Sequence, residues 1–190
     1  MKKLVVASNN KGKIKEIKEI LKDKYQVVSM GEMGYAGDIE ENGETFFENA
    51  LIKAKTISEF FGCDALADDS GLCVEALNGA PGVYSARYAG EHGDDKANRD
   101  LLLKNLDGKT NRRAKFVSSI VLVKADGSVV QGLGETYGTI GYSEEGTNGF
   151  GYDCIFISDD LGDSFGLASD EQKNSVSHRY RGLIDLLNNL

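Results

Sequence analysis

The chain has 190 residues, with 22 Lys and Arg against 30 Asp and Glu, for a formal net charge of −8. That length suits a single domain, residues 1–190, with a full core and no need of metal or disulfide staples, and the acidic balance argues against a general nucleic-acid binder, which needs a basic face. Glycine is frequent at 23 and proline almost absent at 1. Pro-rich linkers are therefore excluded, and the glycines mark places where the backbone turns sharply or a ligand comes close.

In chain order, residues 3–7 read as a short buried strand, and Ser8-Asn9-Asn10 as a turn and helix cap. Ile14, Ile17 and Leu21, widened by Ile20, give residues 11–21 one apolar face. A second strand at 25–29 leads into an acidic, glycine-broken loop at 31–43. Thr45-x-x-Glu48 is a capping box that opens a long helix with Phe46, Ala50, Ala54, Ile57 and Phe61 on its buried face. Residues 65–67 form a strand running into Asp68-Asp69, and 79–93 form a second Gly-rich loop. A helix at 94–106 and a strand at 116–123 follow. Residues 125–128 then make a hairpin turn into a strand at 129–137. A short strand is predicted at 154–157, and a last helix at 175–190 turns Tyr180, Leu183, Ile184 and Leu187 inward. The β/α alternation predicts an α/β fold, and the hairpin makes its sheet mixed.

Cys63, Cys73 and Cys154 form no C-x-x-C pair, so reduced thiols and a cytoplasmic setting are expected. The apolar run at 4–7 is shorter than the roughly 7–15 residues of a secretory signal, and nothing approaches the ~18 of a membrane span.

Two helix starts carry cations where the helix dipole favours anions. The first is Ser8-Asn9-Asn10-Lys11-Gly12-Lys13. The second holds Ser177-His178-Arg179-Tyr180-Arg181, with Lys173 just before it. A bound phosphate reverses the sign of both arrangements; the plainer readings are a solvated lysine face and pairing with acids such as Asp170 and Glu171. The first loop is not a Walker A motif. Asp68 and Asp69 after a buried strand suit Mg²⁺, which commonly takes one or two carboxylates plus phosphate oxygens. Glu40 or Glu41 could add another, whereas Glu48 belongs to the capping box. With only His92 and His178, a zinc hydrolase is not indicated. In Asn148-Gly149-Phe150-Gly151-Tyr152-Asp153, the flanking glycines can present the Phe150 ring for stacking on a base, and Asp153 can bond a sugar or base donor. Otherwise Phe150 is a core aromatic.

Six blocks together resemble the inosine triphosphate pyrophosphatase family, the XTP/dITP diphosphatases that hydrolyse non-standard purine nucleoside triphosphates. They are residues 8–13; Glu41-Asn42-Gly43-Glu44-Thr45-Phe46 with Glu48-Asn49-Ala50; Ala67-Asp68-Asp69-Ser70-Gly71-Leu72; residues 79–88; Gly149-Phe150-Gly151-Tyr152-Asp153; and Lys173-Asn174-Ser175-Val176-Ser177-His178-Arg179. The resemblance implies an elongated mixed sheet flanked by helices, two lobes with a nucleotide cleft between them, and a homodimer. It implies Mg²⁺-dependent cleavage of a triphosphate to the monophosphate and pyrophosphate. It also implies that Ser8, Asn9, Asn10, Lys11, Gly12 and Lys13 hold the triphosphate, and that Glu41 and Asp69 bind Mg²⁺, with Asp69 also the base. Ser70 resembles a substrate contact. Phe150, Gly151, Tyr152, Asp153, Lys173, His178 and Arg179 resemble the base-binding set. Cys154 departs from the family's usual proline. The alternative is the septum-related nucleotide pyrophosphatase group, acting on modified or pyrimidine nucleotides. The Gly-Phe-Gly-Tyr-Asp and Ser-His-Arg blocks argue against it, as Asp68, Asp69 and Glu41 argue against a non-catalytic sensor.

Overall fold

The computed structural model describes residues 1–190. Six strands, β1 (Lys2–Val6), β2 (Tyr25–Ser29), β3 (Ala65–Val74), β4 (Arg113–Val123), β5 (Val129–Ile140) and β6 (Phe156–Ser158), make one sheet in the order β2-β1-β3-β4-β5-β6. Five helices flank it: α1 (Lys11–Leu21), α2 (Phe46–Phe61), α3 (Asp95–Asn105), α4 (Asp170–Val176) and α5 (His178–Asn188). β1 pairs parallel with β2 and β3, while β5 and β6 are antiparallel. The connection from β4 to β5 is too short for a parallel crossover, so the sheet is mixed, as its sequence implies. No helix is long and apolar enough to cross a membrane.

The chain divides into two compact units. The first comprises residues 1–69, 118–134 and 179–190. Because side chains alternate along a strand, β1 feeds a core on each of its faces. Leu4 and Val6 join Ile17, Leu21, Leu66, Ile120 and Leu183 on one side. Val5 and Ala7 join Ala50, Ala54, Ile57 and Val121 on the other. Local chemistry sets the helix bounds here. Asn10 caps α1 by accepting the Lys13 N–H, the Thr45/Glu48 box caps α2, and Gly62 ends α2 at φ +62°.

The second unit comprises residues 70–117 and 135–178. Its core gathers Leu72, Val74, Leu102, Leu106, Phe116, Phe156 and Phe165. Arg112 is buried there and donates to the carbonyls of Leu106, Ile140 and Gly141, so each of its three nitrogens has a hydrogen-bond partner.

Five expectations are corrected. Asp68-Asp69 lies inside β3 rather than beyond its end, because burial and ion pairing carry the strand through the polar residues. The last helix is two helices, broken at Ser177, which is extended at ψ 156°. In α5 the buried positions are His178, Arg179, Gly182, Leu183 and Leu186, and Ile184 faces outward. The predicted strand at 154–157 is a 3₁₀ turn at Asp153–Ile155 followed by β6, and the 79–93 loop contains a 3₁₀ helix at Gly82–Arg87.

Candidate active site

In the first unit, the loop after β1 delivers Ser8, Asn9 and Asn10 to the start of α1. Ser8 Oγ accepts the Asn10 N–H at 3.1 Å and Asn10 Oδ1 accepts the Lys13 N–H at 3.1 Å. Lys11 is exposed, Gly12 is the second helical residue, and no acid occupies the first turn. Lys13 turns back onto β3, with Nζ 3.1 Å from Asp68 Oδ2 and 3.5 Å from the Asp68 carbonyl.

Asp68 is 1% exposed and fully engaged. The Ser118 hydroxyl donates to its Oδ1, and Arg179 Nε and Nη2 donate to its Oδ2 at 3.2 and 3.1 Å. Arg179 Nη1 donates to Glu16, which reaches in from α1. Burial works against the guanidinium's charge, but the two carboxylates outweigh it and hold the group firmly protonated.

Asp69 belongs to a different cluster. Lys53, from α2, lies 3.4 Å from Asp69 Oδ1 and 3.3 Å from Glu41 Oε1, and donates to the Asp68 carbonyl at 2.9 Å. Asp69 Oδ2 is buried with no hydrogen-bond partner. Burial pushes the Asp69 carboxyl above the usual range, against the pull of Lys53 and Lys13, and Glu41 and Asp68 push the same way. No group of three or more His, Cys, Asp or Glu side chains is assembled to hold a metal. One or two carboxylates with a buried, unpartnered oxygen fit Mg²⁺ rather than a metal held wholly by protein, since Mg²⁺ keeps waters and shares phosphate oxygens.

The second unit gathers most of the residues expected at a base. Lys173 Nζ donates to Asp153 Oδ2 at 2.6 Å, and both side chains are buried. The same ammonium lies 4.7 Å from the centroid of the Phe150 ring, within cation–π range. Asp153 Oδ2 also accepts the Phe150 N–H at 3.0 Å. Gly149 is required here: a β-carbon at its φ of +71° would come within 2.2 Å of that carboxylate oxygen. His178 stacks on Phe116 with centroids 4.8 Å apart and planes at 15°. Tyr152 is buried, and its hydroxyl donates to the Ser85 carbonyl at 2.7 Å. Gly151 has both peptide groups bonded to α3 side chains. Ser70 follows Asp69 in β3 and is half-buried. Cys154 sits in the 3₁₀ turn, where its carbonyl accepts the Glu145 N–H at 2.7 Å.

Of the neighbouring residues at the second helix start, His178 falls in the second unit and Arg179 in the first. The cations there find Asp153, Asp68 and Glu16 as partners. Sequence reasoning overlooked Lys53 and Glu16. Lys53 left a signal, because it shares the helical stripe of Ala50, Ala54 and Ile57, where a lysine is out of place unless paired. Glu16, beside Ile17, left none.

The chain is thus an α/β protein with buried carboxylates paired to cations over a mixed six-stranded sheet. The Ham1 family profile matches residues 4–189, and the chain belongs to the Ham1 family. A dITP/XTP pyrophosphatase of Haemophilus influenzae is 48% identical over 186 residues, covering 95% of each chain. One from Clostridium tetani is 45% identical over 183 residues, covering 94% of this chain and 91% of the relative. Among solved structures, a HAM1 protein from Coxiella burnetii superposes with a TM-score of 0.87 at 37% identity, over 99% of this chain and 98% of the other. The Staphylococcus aureus Ham1 protein gives 0.85 at 44% identity, over 96% and 95%.

Proposed function

We infer that this chain hydrolyses non-standard purine nucleoside triphosphates, ITP, dITP and XTP, to the monophosphate and pyrophosphate, and so cleanses the nucleotide pool. The observation that carries the chemistry is Asp69: a buried carboxylate with one oxygen held by Lys53 and the other without a hydrogen-bond partner. The names of the relatives supply the substrate class.

In this reading the N–H groups at the start of α1, with Lys11 and Lys13, bind the triphosphate. Glu41 and Asp69 would hold Mg²⁺, which supplies neutralisation of phosphate charge when bound. Asp69 accepts the proton of the attacking water, and its raised proton affinity suits that task. Lys53 fixes the carboxylate through Oδ1, which leaves Oδ2 for the reaction. The water oxygen bonds to phosphorus as the phosphoanhydride oxygen leaves with its electron pair. On the base, Phe150 offers a stacking face and Lys173 a donor for a 6-keto oxygen. Lys173 is favoured over Arg179 for this role, because Arg179 directs Nε, Nη1 and Nη2 at Asp68 and Glu16. A 6-amino group gives that donor no acceptor, so adenine is rejected. We place the protein in the cytoplasm, on the ground of its unpaired cysteines Cys63, Cys73 and Cys154, and take it to be a homodimer, as the family resemblance implies.

The test is turnover of ITP, XTP and ATP with MgCl₂, scored for pyrophosphate against single phosphate. Pyrophosphate release from ITP and XTP far ahead of ATP is expected, lost on chelation with EDTA. Release of single phosphates, or equal turnover of ATP, would overturn the reading.

A further inference from the structure

The peptide that follows Phe150 is gripped from a helix that no motif singled out. Asp95 Oδ2 accepts the Gly151 N–H at 3.0 Å, and Arg99 Nη1 donates to the Gly151 carbonyl at 2.8 Å. The two side chains stand four residues apart on α3, hence on one face of the helix. Arg99 is itself braced, since Nε donates to Glu144 Oε1 at 2.6 Å. On the other side, Asp153 takes the Phe150 N–H and the Lys173 ammonium. Gly151 has φ +61°, so this turn relies on hydrogen bonds to its own peptide groups rather than on a regular ladder.

We propose that Asp95 and Arg99 are positioning residues for the base platform. By holding both polar groups of Gly151 they fix the angle of the Phe150 ring, and through it the affinity for the base end of the substrate, without touching the substrate. This rests on the reading of Phe150 as the stacking face.

The experiment compares Arg99→Gln, Arg99→Lys and Asp95→Asn with the unmodified enzyme. It measures kcat and KM for ITP, and the inhibition constant of inorganic tripolyphosphate, which carries the phosphates without a base. Arg99→Gln and Asp95→Asn should each raise KM for ITP about tenfold, the size of one charge-assisted hydrogen bond, with kcat and tripolyphosphate inhibition nearly unchanged. Arg99→Lys keeps one donor and should recover part of the loss. Should Arg99→Gln fail to fold, Asp95→Asn and Arg99→Lys decide. An unchanged KM, or a parallel loss of ITP binding, kcat and tripolyphosphate binding, overturns the positioning role. Failure of the unmodified enzyme to release pyrophosphate from ITP overturns the functional reading instead, so the two failures are distinct.

Discussion

Arg179 and Asp68 meet as a buried pair in which two guanidinium nitrogens converge on one carboxylate oxygen, and each residue is 1% exposed. A buried pair of this kind is weak evidence of net stabilisation, but breaking it is costly, because the remaining charge has no water. Arg179→Met leaves both Asp68 and Glu16 without their shared cation and should cost about 3–5 kcal/mol in urea unfolding. Glu16→Gln keeps an acceptor beside Nη1 and should cost less, about 1–3 kcal/mol. Equal costs would contradict this division of the network.

Asp69→Asn preserves shape and removes the proton acceptor. Turnover should fall by about 10²–10⁴, with the circular dichroism spectrum and melting midpoint close to those of the unmodified protein. Retained turnover would remove Asp69 from its proposed role.

Lys53→Met leaves Glu41 and Asp69 facing one another without the cation that bridges them. The variant should melt lower in EDTA and gain more from MgCl₂ than the unmodified protein does, because an ion bound only by the folded state stabilises it. Equal gains in the two proteins would argue against Mg²⁺ at these carboxylates.

Glu32 supplies a pH prediction away from the site. Lys18 and the Ser29 N–H hold its carboxylate, bringing the pKa down to about 2. The folded value is below the unfolded one. The contribution to stability is therefore complete above the ordinary glutamate range and is lost as pH falls towards 2. Carboxyl NMR should show the low midpoint, and Lys18→Ala should return it towards 4.5.

Gly132→Ala tests the packing of α5 on β5. The added carbon would fall 2.2 Å from the Gly182 carbonyl oxygen and 2.4 Å from the Leu186 nitrogen, both backbone atoms that cannot rotate away. A loss of about 1–3 kcal/mol or more is expected in chemical denaturation. A neutral result would mean that α5 can shift outward freely.

What the sequence made legible was local. The bounds of α1 and β2 were readable because Asn10 and the apolar spacing lie within a few residues of what they control, and the Thr45/Glu48 box placed the start of α2 in the same way. The course of β3 was not. Asp68 and Asp69 look like a strand's end until Arg179, 111 residues further on, covers the first and Lys53 meets the second. The break at Ser177 did leave a signal, since Ser169 and Gln172 form a capping box that opens α4 and serine is itself a favoured N-cap residue. Phe150, Asp153 and Lys173 were grouped by the family resemblance, but the hold of Asp95 and Arg99 on Gly151 was invisible, because it depends on which face of α3 meets the loop.

The acidic doublet of β3 has one more implication. Consecutive side chains of a strand point to opposite faces, so the pleat assigns Asp68 to the Arg179 socket and Asp69 to the Lys53 socket. Identity at these positions is thus read by parity. A single residue inserted between Gly62 and Ala65 would slide the strand by one place, offering Ala67 to one socket and Asp68 to the other. Two inserted residues would restore the facing but carry the carboxylates along the strand, away from both cations. The distance from the end of α2 to this doublet is therefore counted in whole residues, and shortening or lengthening that small turn should damage the site more than substitutions within it.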